Sequence, residues 1–578
     1  MEQKNAFLAI ILSILVWGGF QYFAPAPQPV APQEQTADGV ATPQPGSSAP
    51  TALETPTLET IRDKAEVLAE SPRVKIESPV LTGSINLRGA RLDDLVLPEF
   101  KETLDEDSKN IVLLRPEGTK GAFFASMGMW ASKGVEAPKA DTVWSADREI
   151  LTPGNSVTLS WTNPAGVVFQ QVYSLDEHYL FTIEQKVINN SADEIQVAPY
   201  GTIRRLGTPQ TEGFYILHEG FTGVLDESLK EESYENVQDA EKGTVSFESE
   251  GGWVAITDKY WQTALLPDQG KKIKAQYLAK ASGNDFNYTA NFINEQSTVL
   301  APGAAFESKD HIFAGAKKAI LIDEYKEQLE LPLFDRSVDF GYFHFLTRPM
   351  YYIIHWLNEF LGNFGLAILA LTLGIKIILL PLAHKSYVSM SRMKLLQPKM
   401  QELKEKHGDD RQKLNMAMME LYKKEKVNPL AGCLPILVQI PIFFALYKVL
   451  FINIEMRHAP FFGWIQDLSA PDPLGLLTGF GLIEWQVPAM LAFFNVGIWP
   501  LIMGLTMWLQ QKLNPAPADP IQQKIFTFMP IIFTFMLGTF PAGLVIYWAW
   551  NNTLSIAQQY LIMKKMGVAV GGGAAKAS

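Results

Sequence analysis

The sequence predicts a helical membrane bundle joined to a large all-β domain. Three observations predict it. Apolar runs of membrane-span length fill the first 23 residues and recur after residue 350. Between about 61 and 340 the pattern changes to short runs of β-branched and aromatic residues separated by turn clusters. Hydrophobic residues make up 47% of the 578, high for a soluble protein and low for a bare membrane bundle.

Composition also excludes several classes of function. A net charge of −12 argues against nucleic acid as the main ligand. One cysteine, Cys433, rules out an intrachain disulfide framework. It sits in LAGC, a string a lipoprotein peptidase would read, but follows a charged segment far from the N-terminus. A small residue packed at the start of a span is the better account. No GxxxxGK[ST] loop, HExxH motif or GxSxG elbow occurs. No cofactor is implied, and any driving energy must come from elsewhere.

Residues 1–23 read as an N-terminal transmembrane signal anchor. Positions 6–23 are apolar apart from Ser13 and Gln21. A cleaved signal peptide is the rival reading. Only Lys4 precedes the apolar core, and Pro25 and Pro27 crowd the one A-x-A-like site. Residues 24–60, rich in Pro, Ala, Gln, Thr and Ser, read as a linker. Residues 61–340 read as one outer β domain, a large sandwich, with strands at VTLSWTN, GVVFQQVYSL and YLFTIEQKVIN. Helical signals there are confined to about 61–70 and 318–330. Acids outnumber bases in this domain.

The segment 341–361 contains MYYIIHWLNEFL, which suits an amphipathic helix in the outer interface. A simple extension of the following span is the alternative. Residues 362–566 read as a five-span core, with spans near 362–383, 430–451, 490–511, 525–541 and 544–563. The segment 384–429 carries eleven Lys or Arg, whereas 452–489 has only Arg457. The positive-inside rule therefore puts 384–429, both termini and the short tail 567–578 in the cytoplasm. The β domain lies on the other side of a multi-pass cytoplasmic membrane.

Lys376, in LTLGIKIILLPL, has no acid within reach along its helix. A charge at mid-membrane costs about 2.5–3.5 kcal/mol. With its span ending near 383, the lysine lies roughly 12 Å from the cytoplasmic end. Snorkelling to that surface is one reading. The other is a hydrated cavity open to the cytoplasm, because Thr372, Gln439, Thr534, Asn551 and Asn552 fall at similar depth. Such a cavity could receive the polar part of a chain entering from the cytoplasm. Burial of that chain's own apolar span would drive the reaction. Taken singly, Thr534 and the asparagines suit helix packing.

The segment 384–429 divides at GDD into two helices. Gly408 can end the first, and Asp409 or Asp410 can cap the second. Met393 and Met400 lie on one stripe, Met418 on the other, with Met419 beside it. A methionine-rich face suits varied apolar clients, or simply packs the two helices together.

These residues resemble the YidC membrane insertases of Gram-negative bacteria. The strings that carry the resemblance are FLTRPMYYIIHWL, QPKMQELKEKHGDD, LYKKEKVNPLAGCLPILVQIPIFFALY, DPIQQKIFTFMPIIFTF and FPAGLVIYW. GGWVAITDKYWQTALLP adds to them within the β domain. The resemblance covers nearly the whole chain. It implies a β-supersandwich in the periplasm and a core that inserts, folds and helps assemble inner-membrane proteins. Partners would be nascent membrane proteins, the Sec translocon and membrane lipids, with room for ribosome and signal-recognition components. It also implies a hydrophilic groove with one basic residue. That residue is commonly arginine, and Lys376 stands in its place, without the bidentate fork. Tyr547 and Trp548 match client-contact positions, the second usually tyrosine. The loop 474–497 is longer than the family pattern, and the tail lacks the basic extension some members have.

Two rival functions remain open at this level. A transporter would show inverted repeats and unwound helices, which the unequal spans do not suggest. A membrane-anchored sugar enzyme would need an acid and a base in a cleft, for which only His178 and His311 stand out.

Overall fold

The computed structural model describes residues 62–566, apart from 133, 212–216, 284, 342, 408–409, 426, 428–433, 484, 486 and 515–519. The expected signal anchor, linker and tail lie outside the described residues, as do Cys433, Gly408 and Asp409.

The β domain is two large sheets packed face to face. One has eleven strands and centres on Ile195–Leu206, flanked by Phe123–Ala131 and Asp285–Asn294. The other has nine and centres on Ala305–Ala316, between Trp261–Leu266 and Leu180–Asn189. Pairing is antiparallel except where Arg73–Glu77 meets Ile150–Leu151. The strand Val167–Leu175 shows why the chain folds this way. Its alternate residues Val167, Phe169, Gln171, Tyr173 and Leu175 are buried, the period of two that the sequence displays. Two of these are polar, and both bond across the sandwich. Gln171 Nε2 donates to Met127 O at 3.0 Å, and Tyr173 OH donates to Ala90 O at 3.1 Å.

Three short helices decorate this domain: α1 (Lys64–Ala69), α2 (Tyr234–Asp239) and α3 (Ala319–Gln328). The first and third fall where helical signals were expected. Trp253 fills the sandwich interior, its Nε1 donating to Pro332 O at 3.0 Å and its ring edge-on to Phe334. Gly252 before it has φ +94°, and a Cβ there would lie 2.1 Å from Val224 O, so only glycine fits. The two histidines of the sugar-enzyme reading are not paired in a cleft. His178 is exposed, and His311 is half-buried against Thr182 at 3.0 Å.

The helical region contains α4 (His344–Leu361), α5 (Phe364–Ile378), α6 (Leu380–Leu395), α7 (Gln397–His407) and α8 (Arg411–Lys424). It continues with α9 (Leu434–Ile452), α10 (Ile498–Leu513), α11 (Pro520–Met536) and α12 (Ala542–Lys565). α4 is a separate helix and not an extension of the next. Gly362 ends it at φ 67°, and Asn363 caps α5 through Leu366 N.

Several expected spans are corrected. The span 362–383 is not one helix: α5 and α6 meet at a 68° bend. Pro381 explains it, having no N–H for the carbonyl of Ile377 and a ring that crowds it. The span expected at 490–511 becomes helical only at Ile498, because Ala489–Phe494 winds as a 3₁₀ turn. Among the described residues no single helix is both long and apolar enough to cross a membrane, although the bent pair could do so together.

Ion pairs join the two regions. Lys448 on α9 donates to Asp339 at 2.7 Å. Arg348 on α4 bridges Asp323 at 2.8 Å and Asp335 at 3.1 Å. Lys259 of the β domain sits 3.9 Å above the Phe451 ring of α9, and within the helical region His355 on α4 meets Glu455 at 3.0 Å.

Asp310 generates a test of the sandwich. It is buried between the sheets and accepts from Asp268 N at 3.2 Å. Burial raises its pKa from 3.8 to about 6. The folded state then holds a proton that the unfolded state has released, so stability falls as pH rises from about 4 through about 6. Asp310→Asn should remove that slope and stabilise the protein near pH 7 by up to about 3 kcal/mol. Thermal unfolding of the full chain from pH 4 to 8 measures it, and an unchanged slope contradicts it.

Candidate functional site

The side chain of Lys376 turns toward α12. Its Nζ donates to Ser555 Oγ at 2.7 Å, and Ser555 Oγ donates onward to Asn551 O at 2.8 Å. Tyr387 of α6 also approaches Ser555. Among the described residues no carboxylate pairs with the lysine. A half-buried cation therefore rests on a neutral hydroxyl.

Tyr547, Asn551 and Ser555 recur at every fourth position and line one face of α12. Tyr547 is buried and accepts from Gln439 Nε2 on α9 at 2.5 Å. This face gathers Lys376, Gln439, Tyr547 and Asn551 from three helices. Thr372 sits one turn from Lys376 but turns back on its own helix, donating to Ile368 O at 2.7 Å.

The other expected residues are engaged elsewhere. Asn552 Nδ2 donates to Thr506 Oγ1 on α10 at 3.2 Å. Gln559, one helical repeat further on, donates to Leu513 O at 3.1 Å. Thr534 of α11 bonds its own Pro530 O at 2.7 Å and packs against Gly504 of α10. Trp548 stands between α9 and α11, its ring centroid 4.5 Å from Phe443 and 5.9 Å from Phe533. The single polar layer expected from depth thus resolves into two seams on either side of α12. Ser555, Tyr387, Thr506 and Gln559 were not singled out from the sequence. The i+4 step from Asn551 to Ser555 was the available signal.

The exterior is the converse of this interior. Asn551, Asn552, Ser555, Gln559 and Thr534 are buried, whereas Leu437, Leu505, Ile531 and Ile532 are exposed. Apolar outside and polar inside is the arrangement a hydrocarbon solvent favours.

A family model described as "60Kd inner membrane protein" matches residues 356–569, and one described as "YidC periplasmic domain" matches 73–353. The chain is 46% identical over 587 residues to "Membrane protein insertase YidC" of Beijerinckia indica, covering 98% of this chain and 97% of that one. It is 46% identical over 594 residues to the protein of that name in Methylorubrum extorquens, covering 98% and 96%. The chain belongs to the YidC membrane protein insertase family. A solved structure titled "Active YidC insertase crystal structure with the first transmembrane domain resolved" aligns with TM-score 0.37 and 16% identity, over 88% of this chain and 95% of that one.

In this YidC-family chain the hairpin α7–α8 has the expected cap. Asp410 accepts from Lys413 N at 3.1 Å and starts α8. Tyr422 OH reaches Met400 Sδ at 3.9 Å, and Lys399 pairs with Glu425 at 2.7 Å. Met418 is buried, and Met393 and Met400 are half-buried. Met400 and Met418 therefore pack the hairpin, while Met419 and its neighbour Met416 are exposed.

The Gly504–Thr534 contact tests the second seam. A Cβ at 504 would stand 2.0 Å from Thr534 Oγ1. Gly504→Ala should cost about 1–3 kcal/mol, the usual range for overpacking. Gly504→Ala with Thr534→Ala should recover most of that loss. Thermal stability of the purified chain in detergent reads both, and strictly additive losses contradict the contact.

Proposed function

We propose that this chain inserts, folds and helps assemble integral inner-membrane proteins through a hydrophilic groove open to the cytoplasm, with Lys376 as its charged contact. The observation that carries this reading is the Lys376–Ser555 pair. A cation bonded only to a neutral hydroxyl keeps its charge available for a carboxylate on an incoming chain. Gln439, Tyr547 and Asn551 would continue the polar surface, with Trp548 as an apolar contact beside it. Thr372, Thr534 and Asn552 would support it by holding the helices in register.

In this reading the domains are those of the sequence: signal anchor 1–23, linker 24–60, periplasmic β-supersandwich 61–340, interfacial segment 341–361, insertase core 362–566 and cytoplasmic tail 567–578. α5 and the first residues of α6, to about 383, are the first core span, and α9 to α12 supply the other four. The hairpin 384–429 and both termini are cytoplasmic. Met419 on the exposed face of α8 would meet apolar client segments first, and Met393, Met400 and Met418 would adapt behind it. Nascent membrane proteins are the clients, taken alone or from the Sec translocon, with lipids as surroundings. Ribosome and signal-recognition components would dock at the cytoplasmic face. No bond is made or broken, so the protein is a chaperone-like insertase and not an enzyme. The client's own burial of apolar surface drives the process.

The test uses the purified chain in liposomes. A two-span client with an acidic translocated loop is added without nucleotide or translocon, and protease protection of that loop reports insertion. Like-charge juxtaposition costs several kcal/mol, so Lys376→Glu should slow insertion on the order of tenfold or more. Lys376→Ala, which removes charge without reversing it, should slow it less. Equal activity of the two variants across several clients sinks the groove role and leaves a snorkelling lysine.

A further inference from the structure

The segment between α9 and α10 ends in a closed apolar loop, residues 474–497. Gly475 and Gly497 bridge as an antiparallel pair at its base. Leu476 N donates to Val496 O at 2.9 Å, and Leu477 N donates to Asn495 Oδ1 at 3.0 Å. Its interior closes in the same way. Phe480 N donates to Gly475 O, Ile483 N to Thr478 O, and Trp485 Nε1 to Leu477 O at 2.8 Å. The loop thus satisfies many of its own polar groups without a partner.

Its surface is the opposite of a water-facing loop. Leu482 is 89% exposed and Met490 88%, with Ile483, Phe493 and Phe494 also exposed. From Pro473 to Gln511 the only charged residue is Glu484. Phe493 and Phe494 pack on Phe535 of α11, with centroids 6.2 and 6.0 Å away. The loop's apolar surface is therefore continuous with that of α11, where Ile531 and Ile532 are exposed.

We propose that residues 474–497 form a lipid-embedded pad seated among the acyl chains of the outer leaflet, beside the outer ends of α10 and α11. Three features select lipid over a protein partner. The near absence of charge offers nothing for a partner's charges to read. The internal hydrogen bonds let backbone enter an apolar medium. The apolar surface runs on without a break from helices read as membrane-facing, on which reading the proposal rests. Trp485 within the pad and Trp499 just after it supply the aromatics typical of a membrane interface.

The experiment uses full-length protein with Cys433→Ser as background. Leu482→Cys, Met490→Cys and, as reference on α11, Ile532→Cys are each labelled with the fluorophore NBD. The protein is reconstituted in phosphatidylethanolamine–phosphatidylglycerol vesicles. Quenching by acyl-chain doxyl lipid is compared with quenching by iodide present on both sides. The expected result is doxyl quenching at all three sites, with positions 482 and 490 at least severalfold less sensitive to iodide than free dye. Iodide quenching at 482 and 490 with doxyl quenching at 532 overturns the pad and leaves the spanning helices intact. Shielding of 482 and 490 from both quenchers means that protein covers them, and also overturns the pad. Iodide quenching at 532 overturns the membrane reading itself and the pad with it.

Discussion

A buried polar side chain has no water to complete its hydrogen bonds, and α12 carries Asn551, Asn552, Ser555 and Gln559, all buried, along its length. Each must find or make a partner inside the bundle. Ser555 accepts a hydrogen bond from Lys376, Asn552 reaches Thr506, and Gln559 reaches the end of α10. The positions of α5, α9 and α10 around α12 follow from these bonds as much as from apolar packing. Their burial is what makes so few polar contacts decisive.

The β domain is tied to this bundle by a different chemistry. Charged contacts join it to α4 and α9 beside apolar ones such as Phe340 on Tyr351: Asp339 to Lys448, Asp323 and Asp335 to Arg348, Lys259 over Phe451. Paired charges fix orientation well and add modest stability. The buried apolar residues of the sandwich run on into α4, α5 and α9 as one continuous core. The charged contacts therefore orient two regions that also share apolar packing.

Much of the architecture could be read from residue patterns. Alternation in GVVFQQVYSL announced a strand with one buried face, and the GDD string, with Asp409 or Asp410 as cap, announced the start of α8. Depth along each span placed Lys376 with Gln439 and Asn551, and the structure brings those three to one face. The same one-dimensional measure failed for Thr534 and Asn552. Depth gives height along a helix but not azimuth, and these two face α10, at Gly504 and Thr506. Pro381 was visible and its effect was not read, because an apolar run on both sides hid the break. Ser555 was missed because serine in a span is ordinary until a lysine is found opposite it.

The bend at Leu379 gives the molecule a lever. α6 is 16 residues long, about 24 Å, and pivots three residues from Lys376. A tilt of roughly ten degrees about that elbow carries its far end, and the hairpin beyond it, about 4 Å. Lys376, close to the fulcrum, hardly moves. A small change of angle at the elbow is thus a large displacement at the hairpin and almost none at the half-buried charge.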